Sequence, residues 1–226
     1  MRLEIASNKA IKYACLNFHY AKSIPVNTFG YSVFNDKNQW CGVILYGTGA
    51  SPTINKQFNL NKGEVIELVR MALNGKQEST SKAMSISLKL FKKHNPVVKL
   101  IISFADIDQN HTGIIYQATN WYYIEKCNVN VKTGYIINGK KTHQRSMLSI
   151  GKYKQNTFQN AKSIDKNATE YFTKGKEKYI YVLDKSLIPL CKSLSKTYPK
   201  KITLQDCKVI NLSEVVESNS DFKLDA

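Results

Sequence analysis

The sequence predicts an α/β fold, a mixed sheet flanked by helices, with a basic α+β extension on its C-terminal side. Three observations carry that expectation. The run from Val97 to Phe104 is apolar and β-branched, short enough for a buried strand, and interrupted only by Lys99 and Ser103. It breaks into the polar residues Asp106, Asp108, Gln109, Asn110 and His111 before Gly113 and a short helical pattern. That is how α/β folds deliver side chains to the C-terminal mouth of a strand. A core strand, a polar loop and a packing helix would read the same way.

Earlier in the chain, Ser7 can cap a helix on which Ile11, Ala14, Cys15 and Phe18 share a face, ending near His19 and Tyr20. Thr28 to Asn35 and Trp40 to Tyr46 predict an antiparallel hairpin across Asp36-Lys37-Asn38-Gln39. Residues 47 to 52 predict a flexible loop able to touch a ligand. Glu64 to Leu73 fits a strand or a helix. Ser79, Thr80 and Ser81 supply caps for a helix running to His94, with Met84, Leu88 and Phe91 on one face.

Past Glu125 the texture changes. Tyr135 to Ile137, Asn138-Gly139 and the basic run from Lys140 to Ser146 predict a hairpin and a basic loop. Tyr179 to Leu183 predicts a strand, and Ser186 to Leu194 a helix. The expected division is a catalytic domain over 1–126, a basic DNA-contacting extension over 127–201 and an acidic, partly disordered tail over 202–226. In that tail Asp206, Glu214, Glu217, Asp221 and Asp225 outnumber Lys208 and Lys223.

The 226 residues hold 33 Lys+Arg against 17 Asp+Glu, a net charge of +16 that points to a polyanionic partner. Five scattered cysteines without a CxxC pair argue against a disulfide scaffold or a structural zinc site, and suit a reducing cytoplasm. No signal-peptide pattern opens the sequence, and no apolar run approaches the roughly 18 residues of a membrane span.

The order of elements resembles the GCN5-related N-acyltransferase fold, on Ile101 to Asp106, Tyr116 and Trp121-Tyr122-Tyr123. More closely, the chain resembles the Mom family of phage DNA-modification proteins. The resemblance rests on His19-Tyr20, Glu67-Leu68-Val69-Arg70 with Ala72, Ser103-Phe104-Ala105-Asp106 and His111-Thr112-Gly113 with Tyr116-Gln117-Ala118. Asn120-Trp121 and His143-x-Arg145-Ser146 complete it, over roughly residues 12–201. It implies an enzyme of the host bacterial cytoplasm, encoded by a phage or prophage. Its reaction would convert adenine N6 in double-stranded DNA to a carbamoylmethyl form that blocks restriction, with iron and acetyl-CoA implied as cofactors. The acyltransferase signature Gln/Arg-x-x-Gly-x-Gly/Ala is absent, since Gly75 is the only glycine between Arg70 and the capped helix. Helix amides at Ser79 to Ala83, helped by Lys76, can still hold a phosphate.

Adenine N6 is a weak nucleophile, so the chemistry requires a base and an activated electrophile. Asp106 is the expected base, or else a loop carboxylate or cap. His19, Tyr20, Ser103 and Tyr116 complete the expected catalytic set. His19 and His111 are expected iron ligands, joined by Asp106 or Tyr116. Arg70, Ser79, Thr80 and Ser81 are expected to bind cofactor, although pairing with Glu67 would equally account for Arg70 and capping alone for Ser81. Flipping the base out of the duplex calls for a stacking ring. Trp121, Tyr122, Tyr20 and Tyr46 are the candidate rings, and Trp121 fits core packing as well. Lys140, Lys141, His143 and Arg145 suit DNA phosphates. The alternatives are an ordinary acyltransferase acting on a protein or small-molecule amine, and a non-catalytic DNA-binding anti-restriction protein.

Overall fold

The computed structural model describes residues 1–49 and 53–199. The tip of the expected 47–52 loop and the acidic tail therefore lie outside the described residues. In chain order the elements are β1 (Arg2–Ile5), α1 (Asn8–Asn17), β2 (Thr28–Phe34), β3 (Trp40–Gly47), β4 (Val65–Leu73), α2 (Thr80–His94) and β5 (Leu100–Asp106). Then come α3 (Ile114–Gln117), β6 (Tyr122–Cys127), β7 (Lys132–Ile137), β8 (Lys140–His143), α4 (Phe158–Ile164), β9 (Thr169–Phe172), β10 (Lys176–Val182) and α5 (Ile188–Leu194).

Seven strands form the main sheet in the order β1-β2-β3-β4-β5-β10-β6, and β8-β7-β9 form a second sheet. All neighbours in the main sheet are antiparallel except β4 and β5. The expected mixed sheet flanked by helices is the fold observed. Its local signals act as read: Ser7 accepts from the Ala10 amide to start α1, and Ser79 accepts from the Lys82 amide to start α2. Asn138 and Gly139, both at positive φ, make the two-residue turn between β7 and β8.

Glu64 to Leu73 resolves as strand. Its Leu68, Met71 and Leu73 join the core under α2 and α3, with Tyr46, Met84, Phe91, Ile101, Trp121 and Tyr179. Ala72 packs on the opposite face with Ile11, Ala14, Val43 and Leu45 beneath α1. Farther along that face, Val65, Leu100, Ile102, Ile180 and Cys191 pack under α5. Each large side chain sealed in these layers contributes about 1.5–3 kcal/mol relative to an exposed one.

The boundary expected at residue 126 is corrected by β10. That strand lies between β5 and β6, so the main sheet is built from both sides of the boundary. The separate unit is the segment between β6 and β10, which holds the second sheet and α4 around its own core of Tyr135, Ile137, Met147, Ala161 and Ala168. Only the apolar half of β10 was legible. Glu177 and Lys178 look out of place in a central strand, yet Tyr123 donates to Glu177 at 2.7 Å and Lys178 to Gln57 at 2.8 Å. Among the described residues no helix is long and apolar enough to cross a membrane.

Candidate active site

The site lies where the two parallel strands part. β4 and β5 pair only over Val65–Glu67 with Leu100–Ile102. Beyond that, β4 stays with β3 while β5 continues against β10. Ser103 is the first β5 residue past the paired stretch. Its buried hydroxyl donates to the Leu68 carbonyl at 2.8 Å, so Tyr116, also at 2.8 Å, donates to Ser103. Burial, opposed by the Ser103 bond and reinforced by Glu67, pushes the Tyr116 phenol up to about 12. Ser103 and Tyr116 thus brace the opening from the α2 and α3 side.

A bulge shapes the other side. Tyr46 faces Leu68 and Leu45 faces Arg70, leaving Val69 as the extra residue of β4. Leu45 and Gly47 share a face of β3, so their partners Arg70 and Glu67 share a face of β4 although they are three residues apart. Regular strand alternation would have separated them.

Arg70 donates to the Ser23 carbonyl, while its Nε is buried with no hydrogen-bond partner among the described residues. Its charge reaches His19 and Tyr20, which follow α1 directly. The Tyr20 ring lies tilted by 31° to the His19 imidazole, with centroids 4.2 Å apart, and meets the His111 ring edge-on at 6.0 Å. Its hydroxyl donates to Asp106 Oδ2 at 3.1 Å, and Asp106 Oδ1 accepts from the Asp108 amide at 3.0 Å. Two donors thereby fix the carboxylate at the end of β5, and lone pairs remain for a substrate N–H. Burial first, then Asp106, holds the Tyr20 phenol well above its ordinary value, so it stays protonated.

Burial, then the charges of Arg70, His111 and Lys22, lower His19 to about 4. Its Nδ1 accepts from the Ala21 amide at 3.1 Å. The neutral ring therefore carries its proton on Nε2, as a donor.

The second sheet docks at this mouth. Asp108 accepts from the Thr173 hydroxyl at 2.6 Å and from the Lys174 amide at 3.3 Å. Burial raises its pKa, but bonds from Thr173, Tyr171 and Lys174 outweigh that and hold it below the usual range. Lys141 donates to the Tyr171 hydroxyl at 2.8 Å and lies 4.1 Å from the ring centroid. That bond, opposed by burial and reinforced by Asp108 and Asp106, keeps the ammonium protonated. Asp108, Tyr171 and Thr173 went unread as site residues. Asp108 was visible in the polar mouth, but nothing in the sequence joins it to a threonine 65 positions away.

The structure therefore brings His19, Tyr20, Arg70, Asp106 and His111 together, with Ser103 and Tyr116 across the opening. Lys140, Lys141, His143 and Arg145 are exposed on and just after β8. Ser79 is engaged in its cap and in a 3.1 Å bond with Ser81, and Thr80 accepts from Gln77 at 2.9 Å. Two expected stacking rings are corrected. Trp121 is completely buried, 5.0 Å from Tyr116 and 5.5 Å from Tyr181 between ring centroids. Tyr46 is equally buried, bonded to Ser87 at 2.7 Å. Tyr20, 48% exposed, is the ring open to a ligand at the site.

The donor set does not fit the iron that the resemblance implies. His19 Nδ1 is taken, and no group of three or more His, Cys, Asp or Glu side chains among the described residues could hold a metal ion.

A mixed sheet that opens over an anchored carboxylate, with a basic sheet set beside it, defines an α/β protein with a candidate ligand site at a strand opening. The profile of the Mom protein family matches residues 1–200, and the chain belongs to that family. It is similar to methylcarbamoylase mom of Escherichia phage Mu, 30% identical over 138 residues that cover 58% of this chain and 55% of that protein. The chain thus spans about half the length of the curated relative it matches.

Among solved structures, a Bacillus subtilis acetyltransferase in complex with CoA aligns at 11% identity and TM-score 0.45, over 80% of this chain and 97% of that one. A spermidine N-acetyltransferase from Vibrio cholerae aligns at 9% identity and TM-score 0.46, over 84% and 99%.

Proposed function

We propose that the protein is a DNA-modifying transferase that converts adenine N6 to a carbamoylmethyl-type group, on phage or prophage DNA in the host cytoplasm, and so protects that DNA from restriction. The observation that carries this reading is the Asp106 carboxylate, held by Tyr20 and the Asp108 amide at the strand opening and within the electrostatic reach of Lys141. Family membership and the printed name of the Mu relative support it.

In this reading Asp106 accepts a proton from N6 as the new N–C bond forms and the donor's bond to its leaving group breaks, which offsets the poor nucleophilicity of a conjugated amine. Tyr20 orients the carboxylate and offers its exposed ring to the extruded base. His19, neutral with its proton on Nε2, donates to charge developing on the electrophile. Ser103 and Tyr116 hold β5 and α3 in place beneath. Lys140, Lys141, His143 and Arg145 bind duplex phosphates, and counterion release supplies much of the affinity.

Acetyl-CoA fits through its phosphates. The amides of Thr80 and Ser81 have no intrahelical acceptor at the start of the 15-residue α2, and Lys76 and Lys82 flank them. Arg70 would serve the end nearer the opening. When bound, the cofactor would supply a thioester-activated two-carbon unit with the CoA thiol as leaving group, and a carbamoylmethyl product would further require an amine donor for its amide nitrogen and a two-electron oxidant.

The test is plasmid DNA recovered from bacteria expressing the protein. Resistance to restriction enzymes with adenine in their sites, lost with Asp106→Asn, is the expected result. Full sensitivity of DNA from cells with soluble wild-type protein would contradict the reading.

A further inference from the structure

The second sheet carries a feature that phosphate binding does not use. After β8 the chain runs through a single 3-10 turn, Ser146–Leu148, into a loop that ends at α4. Leu148 is 60% exposed, Ile150 38% and Tyr153 40%. These apolar side chains stand among Arg145, Lys152 and Lys154, and Lys152 lies 5.5 Å from the Tyr153 ring centroid.

The loop is built. Asn160 is completely buried, and its Nδ2 donates to the carbonyls of Ile150 at 2.9 Å, Gln155 at 3.0 Å and Met147 at 3.2 Å. Its Oδ1 accepts from the Tyr153 amide at 2.9 Å. Gly151, at φ +77°, packs so closely that a Cβ there would strike Asn160 Oδ1. Met147 points into the small core while its neighbour Leu148 points out. One buried amide thus organises the backbone that holds apolar tips in water.

We propose that this loop is a DNA wedge: Leu148 and Ile150 enter the base stack, with Tyr153 against it, and open the duplex beside the target adenine. The surrounding cations match phosphates on either side of an inserted apolar group, which is how wedge residues unstack base steps. The location suits the need. N6 is paired in a duplex, and the loop begins three residues after the strand whose Lys141 senses Asp106. The inference rests on the DNA-modification reading for its purpose, but its structural consequence is measurable without turnover.

The experiment uses the full chain and duplexes in which 2-aminopurine replaces some adenines, so that unstacking raises fluorescence. The wild type is expected to raise it. Leu148→Ser with Ile150→Ser changes only exposed side chains, and is expected to bind duplex within about threefold of wild type while abolishing the rise. Modification of paired DNA should fall at least about tenfold in that variant, and a mispaired target adenine, already cheap to extrude, should restore it. A wild type that leaves fluorescence unchanged, or a double variant that keeps the rise and the paired-to-mispaired ratio, would overturn the wedge. If the rise follows the wedge residues but neither protein modifies any substrate, the wedge stands and the modification reading fails.

Discussion

The opening between β4 and β5 and the sheet inserted after β6 treat charge in opposite ways. At the opening, ionisable groups are clustered and partly buried, with Asp106 between two donors and His19 pushed to about 4. On the inserted sheet, cations are numerous and exposed, and Lys141 and Lys132 are held charged by Tyr171 and Glu170. The first arrangement suits a proton transfer that needs one fixed geometry. The second suits a polyanion gripped at many interchangeable points. Asp108 joins them, since its backbone amide fixes Asp106 while its carboxylate holds Thr173 and Lys174.

The largest effect expected from separating the two regions is at Asp106. Asp106→Asn should lower the modification rate at least about a hundredfold, because the general base is gone. DNA affinity measured across a salt series should stay near wild type. Changing Lys140, Lys141 and Arg145 together to alanine should do the reverse. Affinity should fall and the salt slope should flatten by about 0.9 for each phosphate no longer neutralised, while turnover at saturating DNA is retained. A triple variant with the wild-type salt slope would move the DNA-binding face elsewhere.

Smaller still is Tyr20→Phe. It removes one hydrogen bond to a carboxylate, worth about 1.5 kcal/mol or roughly tenfold in rate. A half-exposed ring kept in place should leave the melting temperature almost unchanged. The smallest effect is on stability against pH. The folded His19 binds its proton only near pH 4, against 6.5 for the ordinary group. Between those values the unfolded chain holds more protons, so stability falls as pH drops through that window. His19→Gln should make the denaturation midpoint less sensitive to pH there. His143, exposed on β8 but lowered by partial desolvation of its ring and by the nearby charges of Arg145 and Lys176, acts in the same direction and should account for part of the residual slope.

Much of the candidate site was legible because its residues bracket local signals. His19 and Tyr20 follow a capped helix, and Asp106 and His111 follow an apolar run. What brings them together was not legible. The bulge at Val69 leaves no periodicity of its own, and it alone lets Glu67 and Arg70 share a face of a strand. The placement of β10 depends on pairing between distant segments, with Glu177 and Lys178 made acceptable by partners elsewhere in the chain. Trp121 shows the limit for aromatic residues. Sequence position put it beside the site, whereas packing put it beneath Tyr116 and Tyr181.

The most direct test is the mass of deoxyadenosine in hydrolysed DNA from bacteria expressing wild type, Asp106→Asn and the Lys140/Lys141/Arg145 triple variant. A heavier deoxyadenosine species is expected with wild type, at lower abundance but equal mass with the triple variant, and none with Asp106→Asn. The same heavier species at wild-type abundance in the Asp106→Asn DNA would contradict the placement of the chemistry at the strand opening.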